Sequence, residues 1–212
     1  DAVRAAGVTA SPQHPAKFSP EVLDALGRLV RNRWRELRRT GALDVPAPAG
    51  HTYQRPIEVL DPFAGVGRIH ELALENGVRT IGIEIEREWA ACHPATICAD
   101  MFALLDGVGW RDRLDIIATS PTYGNRFSDH HNARDGSTRR SYTHDLGRTL
   151  TENNSGRMPW GVTYRRFHAE AYRVLFQVLR PGGQFYLNVS GFYSRKQLVH
   201  ATQFPLGAAL GA

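Results

Sequence analysis

Apolar residues follow two rhythms along this chain, and the change between them marks out its elements. Val22, Leu26, Leu29 and Leu37 recur at helical spacing, which predicts an amphipathic helix packed against the rest of the fold. Ser19 is placed to cap that helix, with Pro20 at its first position, Glu21 in its first turn and Gly41 ready to end it in a left-handed conformation. From Ile57 onward the apolar runs become short: Ile57 to Leu60, Arg79 to Ile85, Thr96 to Ala99, Leu114 to Thr119 and Gln184 to Val189. Such runs suit parallel strands covered on both faces. Helical stretches separate them, at Arg68 to Glu75, from about Arg87, at Leu104 to Arg113 and at Val162 to Leu179, the last with Phe167, Ala171, Val174, Leu175 and Val178 on one face. Strand and helix in alternation predict an α/β fold with a doubly wound, mostly parallel sheet. All its strands then end at one edge, where Asp61, Glu84, Asp100 and Ser120 lie.

The stretch Ile57 to Ile69, IEVLDPFAGVGRI, runs from a strand through a tight glycine turn into a helix. Gly65 and Gly67 carry no β-carbon, so the backbone there can turn sharply and lie against a ligand. The free N–H groups of a helix starting near Arg68 face the same crevice. Glu84 stands 23 residues after Asp61, near the spacing of about 20 at which an acid accepts both hydroxyls of a ribose. His70 stands where a dinucleotide fingerprint needs its third glycine. A pyrophosphate is therefore poorly served, and the pattern points to a nucleoside ligand without phosphates.

DPFAGVG, with Ser120-Pro121-Thr122-Tyr123 at the end of the fourth strand, resembles the motifs of S-adenosylmethionine-dependent DNA amino-methyltransferases of the N4-cytosine and N6-adenine type, as in phages and restriction-modification systems. The resemblance implies a Rossmann-like class I methyltransferase fold. It implies that the turn bearing Asp61, Phe63, Gly65 and Gly67 holds the methionine end of S-adenosylmethionine. Glu84 then holds the ribose and Asp100 the adenine amine, with Met101 and Phe102 flanking the purine. His14-Pro15-Ala16-Lys17-Phe18 is similar to the motif that completes the cofactor pocket, which assigns Lys17 and Phe18 to it. Ser120 and the Pro121 carbonyl become acceptors for the hydrogens of an exocyclic base amine, and Tyr123 stacks on a base flipped out of double-stranded DNA. Serine at the head of this motif leans toward cytosine N4 over adenine N6. Thr122 departs from the S-P-P-Y pattern: a proline there would fix φ and bias Pro121 toward an extended conformation, whereas threonine leaves both freer. The family continues with a further helix and an antiparallel strand pair, for which Ser190 to Ala212 is too short, so the C-terminal strands are expected to be missing.

The 212 residues suit one domain, with residues 1–50 as a helical preface, Asp44 to Gly50 as a linker, and residues 57–190 as the core sheet, interrupted by a long polar loop over 124–160. Lys and Arg number 26 against 21 acids, and all but Lys17 and Lys196 are arginine, the residue suited to bidentate phosphate contact. Arg28, Arg31, Arg35, Arg38 and Arg39 read as the solvated face of the first helix. The polar loop carries Arg126, Arg134, Arg139, Arg140, Arg148 and Arg157 with Phe127 and Tyr142 between them, and reads as a nucleic-acid-facing lid whose aromatics stack on bases. Arg126, Arg139 and Arg140 are its candidate DNA contacts. Asp129-His130-His131 lacks the spacing of a zinc motif, so no metal is expected. Cys92 and Cys98 are too few for a disulfide framework and read as two buried thiols of a cytoplasmic protein. No run of 18 apolar residues and no basic-apolar-small leader occurs, so no membrane partner is expected. Two alternatives remain open: an RNA guanine-N2 methyltransferase, and a non-catalytic relic that binds cofactor and nucleic acid.

Overall fold

Ser19 begins the first element as expected. The computed structural model describes residues 18–74, 77–107, 109–122, 131–132, 138–139, 142–189, 192–194 and 197–199. The Ser19 hydroxyl accepts from the Val22 N–H, and helix α1 runs Pro20–Arg39, followed by Gly41 at φ 71°. Its buried stripe is Leu23, Leu26, Gly27, Val30 and Leu37. This is rotated from the expected stripe, for Leu29 is 40% exposed. The sheet selects the face: Leu23, Leu26 and Val30 share a core cluster with Ile57, Val59, Ile116 and Ala118.

Asp44–Gly50 is not a simple linker. Strand β1 (Asp44–Pro46) pairs antiparallel with β2 (Thr52–Gln54), forming a hairpin before the main sheet. The chain then gives β3 (Ile57–Asp61), β4 (Val78–Glu84), α2 (Arg87–Ala90), β5 (Thr96–Cys98), α3 (Met101–Leu105) and β6 (Leu114–Thr119). A small pair follows, β7 (His131–Asn132) with β8 (Thr138–Arg139), then α4 (Tyr142–Leu146), α5 (Val162–Val178) and β9 (Leu179–Leu187). The central sheet has five parallel strands in the order β5-β4-β3-β6-β9. This is the doubly wound, Rossmann-like arrangement anticipated, and its strand order reverses between β3 and β6, where such sheets open a crevice.

The strands β3, β4, β5 and β6 match the expected runs to within a residue or two, but the connections are tighter. The segment after the glycine turn is a 3-10 helix, Arg68–Leu74, rather than an α-helix. The helix anticipated at Leu104 to Arg113 is instead α3, beginning at Met101 because Asp100 caps it by accepting from the Phe102 N–H at 2.8 Å. Strand β9 starts at Leu179, before the expected Gln184: Leu179 pairs with Leu114, then the register slips so that Gln184 meets Ile116, and Gly182 takes φ 74° in the bulge between. Side chains of successive strand residues fall into two clusters, one on each face of the sheet, with α3 and α5 covering one and α1 the other.

The C-terminal hairpin, β10 (Phe192–Ser194) with β11 (Gln197–Val199), forms a separate two-stranded sheet. Among the described residues β9 is therefore an edge of the central sheet. Cys98 is exposed and Cys92 half-buried, so the expectation of two buried thiols is not met. No described helix is long and apolar enough to cross a membrane.

Candidate active site

Strand β3 delivers Asp61 to the crevice edge, and the chain turns at once. Ala64 donates to the Ile83 carbonyl at 2.9 Å, and Gly65 and Gly67 take φ 54° and 81°. A β-carbon on Gly67 would lie 2.9 Å from both His70 and His93, so this turn needs glycine for space as well as for φ. His70 fills the third-glycine position as a wedge: its ring nitrogens are hydrogen-bonded to Thr80 and Thr96, and it stacks on His93. Burial, and then His93, push its pKa down to about 4, so it stands neutral.

Two carboxylates hold this edge together from within. Asp61 accepts from the Phe63 N–H at 3.0 Å and from the Thr119 hydroxyl at 2.7 Å, tying β3 to β6. Glu84 accepts from the N–H groups of Gly65 at 2.9 Å and Glu86 at 2.8 Å, clasping the glycine turn onto β4. Burial pushes both up to about 7, against the pull of those hydrogen bonds.

One cleft at this edge is lined by Phe63, Glu84, Ile85, Asp100, Met101 and Ser120. Five of the expected site residues, Phe63, Glu84, Asp100, Met101 and Ser120, thus meet around it. Gly65 and Gly67 shape the turn without lining the cleft. Asp61 lies behind it, bound to Thr119, and Pro121 is buried beside it. Phe18 is not at the cleft: its side chain is buried with Leu23 and Leu26 in the core under α1. Lys17, Tyr123, Arg126 and Arg140 lie outside the described residues, and Arg139 is described only as part of β8.

A strap that the sequence reading placed in a polar lid completes the cleft. Asn153, Asn154, Ser155, Thr122 and Tyr142 all line it. Tyr142, expected to stack on bases, is instead buried edge-on against Trp89 with Leu150 beside it. Glu86 is the anchor: fully buried, it accepts from the Thr151 N–H and hydroxyl at 2.8 and 2.9 Å and from the Asn154 side-chain amide at 2.8 Å. Arg148, another expected lid arginine, forks onto Glu88 and also touches Glu86 at 2.8 Å. That fork holds the Glu88 carboxyl down at about 2. Asn153 donates to Asp100 at 3.2 Å at the rim, and the Asn188 amide donates to the Ser120 hydroxyl at 3.4 Å. Asn153 and Ser155 carried no sequence signal beyond a run of small polar residues, and Glu86 and Asn188 carried none.

His168 is buried at the back of this region among Phe63, Tyr164, Phe167 and Tyr172, without a hydrogen-bond partner among the described residues. Burial pushes it down to about 3, so it packs as a neutral ring. No cluster of three or more His, Cys, Asp or Glu suited to a metal occurs among the described residues.

No protein-family model matches the chain, and no curated protein matches it. Among solved structures, it is similar to a TehB-like SAM-dependent methyltransferase from Corynebacterium glutamicum, with 18% identity and a TM-score of 0.39 over 89% of this chain and 83% of that one. It is also similar to SAM-dependent methyltransferases from Geobacter sulfurreducens and Thiobacillus denitrificans, both in complex with S-adenosyl-L-homocysteine, at 16% and 17% identity and TM-scores of 0.41 and 0.40. Those matches cover 82% and 84% of this chain but 50% and 51% of the other two, so the chain spans about half their length.

Proposed function

We propose that this chain is an S-adenosylmethionine-dependent methyltransferase acting on the exocyclic amine of a base flipped out of double-stranded DNA, cytosine N4 in preference to adenine N6. The observation that carries the reading is the meeting of Glu84, Asp100 and Ser120 around one cleft at the point where the strand order reverses.

The donor set suits a phosphate-free nucleoside. Glu84 faces the cleft with a carboxylate able to accept ribose hydroxyls, Ile85 and Met101 offer apolar faces for a purine, and Asp100 has an oxygen for its amine. That oxygen now receives Asn153, and free space in the cleft is about 40 Å3, room for a few waters where ligand pockets reach roughly 300 Å3 or more. An adenine amine at Asp100 would take the oxygen that Asn153 now occupies.

Bound S-adenosylmethionine supplies a methyl group on a sulfonium; the carbon–nitrogen bond forms as the carbon–sulfur bond breaks, leaving a neutral thioether. The Ser120 hydroxyl and the Pro121 carbonyl accept the amine hydrogens, drawing the nitrogen lone pair out of conjugation, and the surplus proton leaves through Ser120 toward solvent. Asn188, just after β9, orients the Ser120 hydroxyl. Tyr123 stacks on the extruded base, which offsets part of the few kcal/mol that extrusion costs. Arg126, Arg139 and Arg140 contact phosphates.

Calorimetry with S-adenosylmethionine and methylation of defined duplexes followed by nucleoside mass spectrometry test this reading. Cofactor binding with 4-methylcytosine in the product is expected, and DNA affinity should fall steeply with salt. Only 6-methyladenine would overturn the base assignment. Methylation of RNA alone, or no methylation of either, would overturn the substrate.

A further inference from the structure

Thr122 is where the chain departs from a double-proline turn, and it is not loose. Its hydroxyl is hydrogen-bonded to that of Ser155, and its carbonyl accepts from the Tyr164 hydroxyl at 2.5 Å. Both partners are buried, at 3% and 4% exposure. They arrive from different elements: Ser155 opens the 3-10 turn Ser155–Arg157, and Tyr164 sits in the first turn of α5. Ser155 is itself held. Asn154 caps that turn by accepting from the Gly156 N–H at 2.8 Å, and its amide is fixed on Glu86. A continuous path thus runs from the buried Glu86 through the strap to the hydroxyl of Thr122. The expectation that threonine frees the turn is corrected here: the residue is tethered through side chain and main chain, where a proline ring would restrict its own φ and the conformation of Pro121.

We propose that Ser155 and Tyr164 are positioning residues for the amine-accepting turn, holding Thr122 so that the Ser120 hydroxyl and the Pro121 carbonyl stay aimed at the amine. The proposal rests on the methyl-transfer reading above. Tyr164 is not among the residues lining the cleft and Ser155 is one of them; each holds Thr122 through a hydroxyl. Thr122 has negative φ, and its N–H donates no hydrogen bond among the described residues. A proline at this position therefore replaces the tether without removing another bond.

The test uses the full chain with Ser155→Ala, Tyr164→Phe, and Ser155→Ala combined with Thr122→Pro. Three quantities are read: turnover on duplex DNA, S-adenosylmethionine affinity by calorimetry, and hydrogen–deuterium exchange of peptides covering Ile117 to Thr122. Loss of one neutral hydrogen bond should lower kcat about three- to tenfold in either single variant. Cofactor affinity should hold in Tyr164→Phe, since Tyr164 is not part of the cleft lining, and exchange across the turn should quicken in both single variants. Adding Thr122→Pro to Ser155→Ala should restore kcat. Unchanged kcat with unchanged exchange overturns the proposal. So does a kcat loss in Tyr164→Phe matched by weaker cofactor binding, or a loss in Ser155→Ala that Thr122→Pro does not repair, since a general packing role gives those results. A parent chain that methylates nothing overturns the methyl-transfer reading instead. Exchange then decides the tether alone: quicker exchange in the variants supports it, and equal exchange overturns it.

Discussion

Asp61 and Glu84 do two things at once, and the second could not be read from the chain. Their places at strand ends followed from spacing, because Asp61 closes an apolar run and Glu84 ends the next. Their use as internal clasps depended on backbone N–H groups that only the folded turn presents, Gly65 to Glu84 and Phe63 to Asp61. That use has a measurable cost. The Asp61 carboxyl ordinarily titrates near 3.8, and in the folded protein burial raises it to about 7. A raised acid favours the folded state while protonated, so its contribution is intact below about pH 4 and is lost as pH climbs to about 7, a change on the order of a few kcal/mol. Asp61→Asn keeps the oxygen that accepts from Phe63 and Thr119. Denaturation midpoints of this variant should therefore fall less than those of the parent between pH 4 and 8. Parallel curves would show that Asp61 is ionised throughout. Ser155 and Asn153 gave no comparable signal, since isolated polar residues in a long aperiodic segment have neither a period nor a motif to mark them.

The strap and its anchor belong to the scale of elements. The sequence showed a long polar segment with arginines; the structure folds residues 142–157 into a packed piece, pinned by Trp89, Tyr142 and Leu150 on one side and by Glu86 on the other. Arginine in a loop suggests solvent or phosphate, so Arg148 was read outward. The buried carboxylate that it meets lies 62 residues earlier in the chain, beyond the reach of local pattern. The two partners should differ sharply in effect. Glu86→Ala leaves the buried Asn154 amide without its acceptor and releases Thr151, and should cost about 2–3 kcal/mol in urea denaturation. Arg148 is 39% exposed, so Arg148→Ala should cost about 1 kcal/mol or less. Equal losses would move the anchor from Glu86 to the surface fork with Glu88. For α1 the lesson is one of phase: its cap, start and end were legible, but the sheet chose Leu23 and Val30 over Leu29 as the inward face.

At the scale of the molecule, the parallel sheet was legible because its inner strands carry short apolar runs bounded by polar or turn residues, as in Leu114–Thr119, which is buried throughout. The hairpin at β1 and β2 was not, since Pro46 and its neighbours carry the composition of a linker and pair only because the chain doubles back after Gly50. The order of the strands decides which groups meet, bringing β3 and β4 side by side and with them two acids whose pKa values both lie at about 7. The cleft edge thus enters neutral solution holding a share of protons. A sulfonium brought onto that edge favours the ionised forms and drives those protons into the buffer. Binding heats measured near pH 6.5 should therefore differ between phosphate and Tris in proportion to their ionisation enthalpies, with the difference fading by about pH 9. Identical heats would mean that both carboxylates are already ionised before the ligand arrives. With the predicted release, capture of the proposed sulfonium cofactor should become tighter as the medium turns alkaline, each loading passing protons to the surroundings.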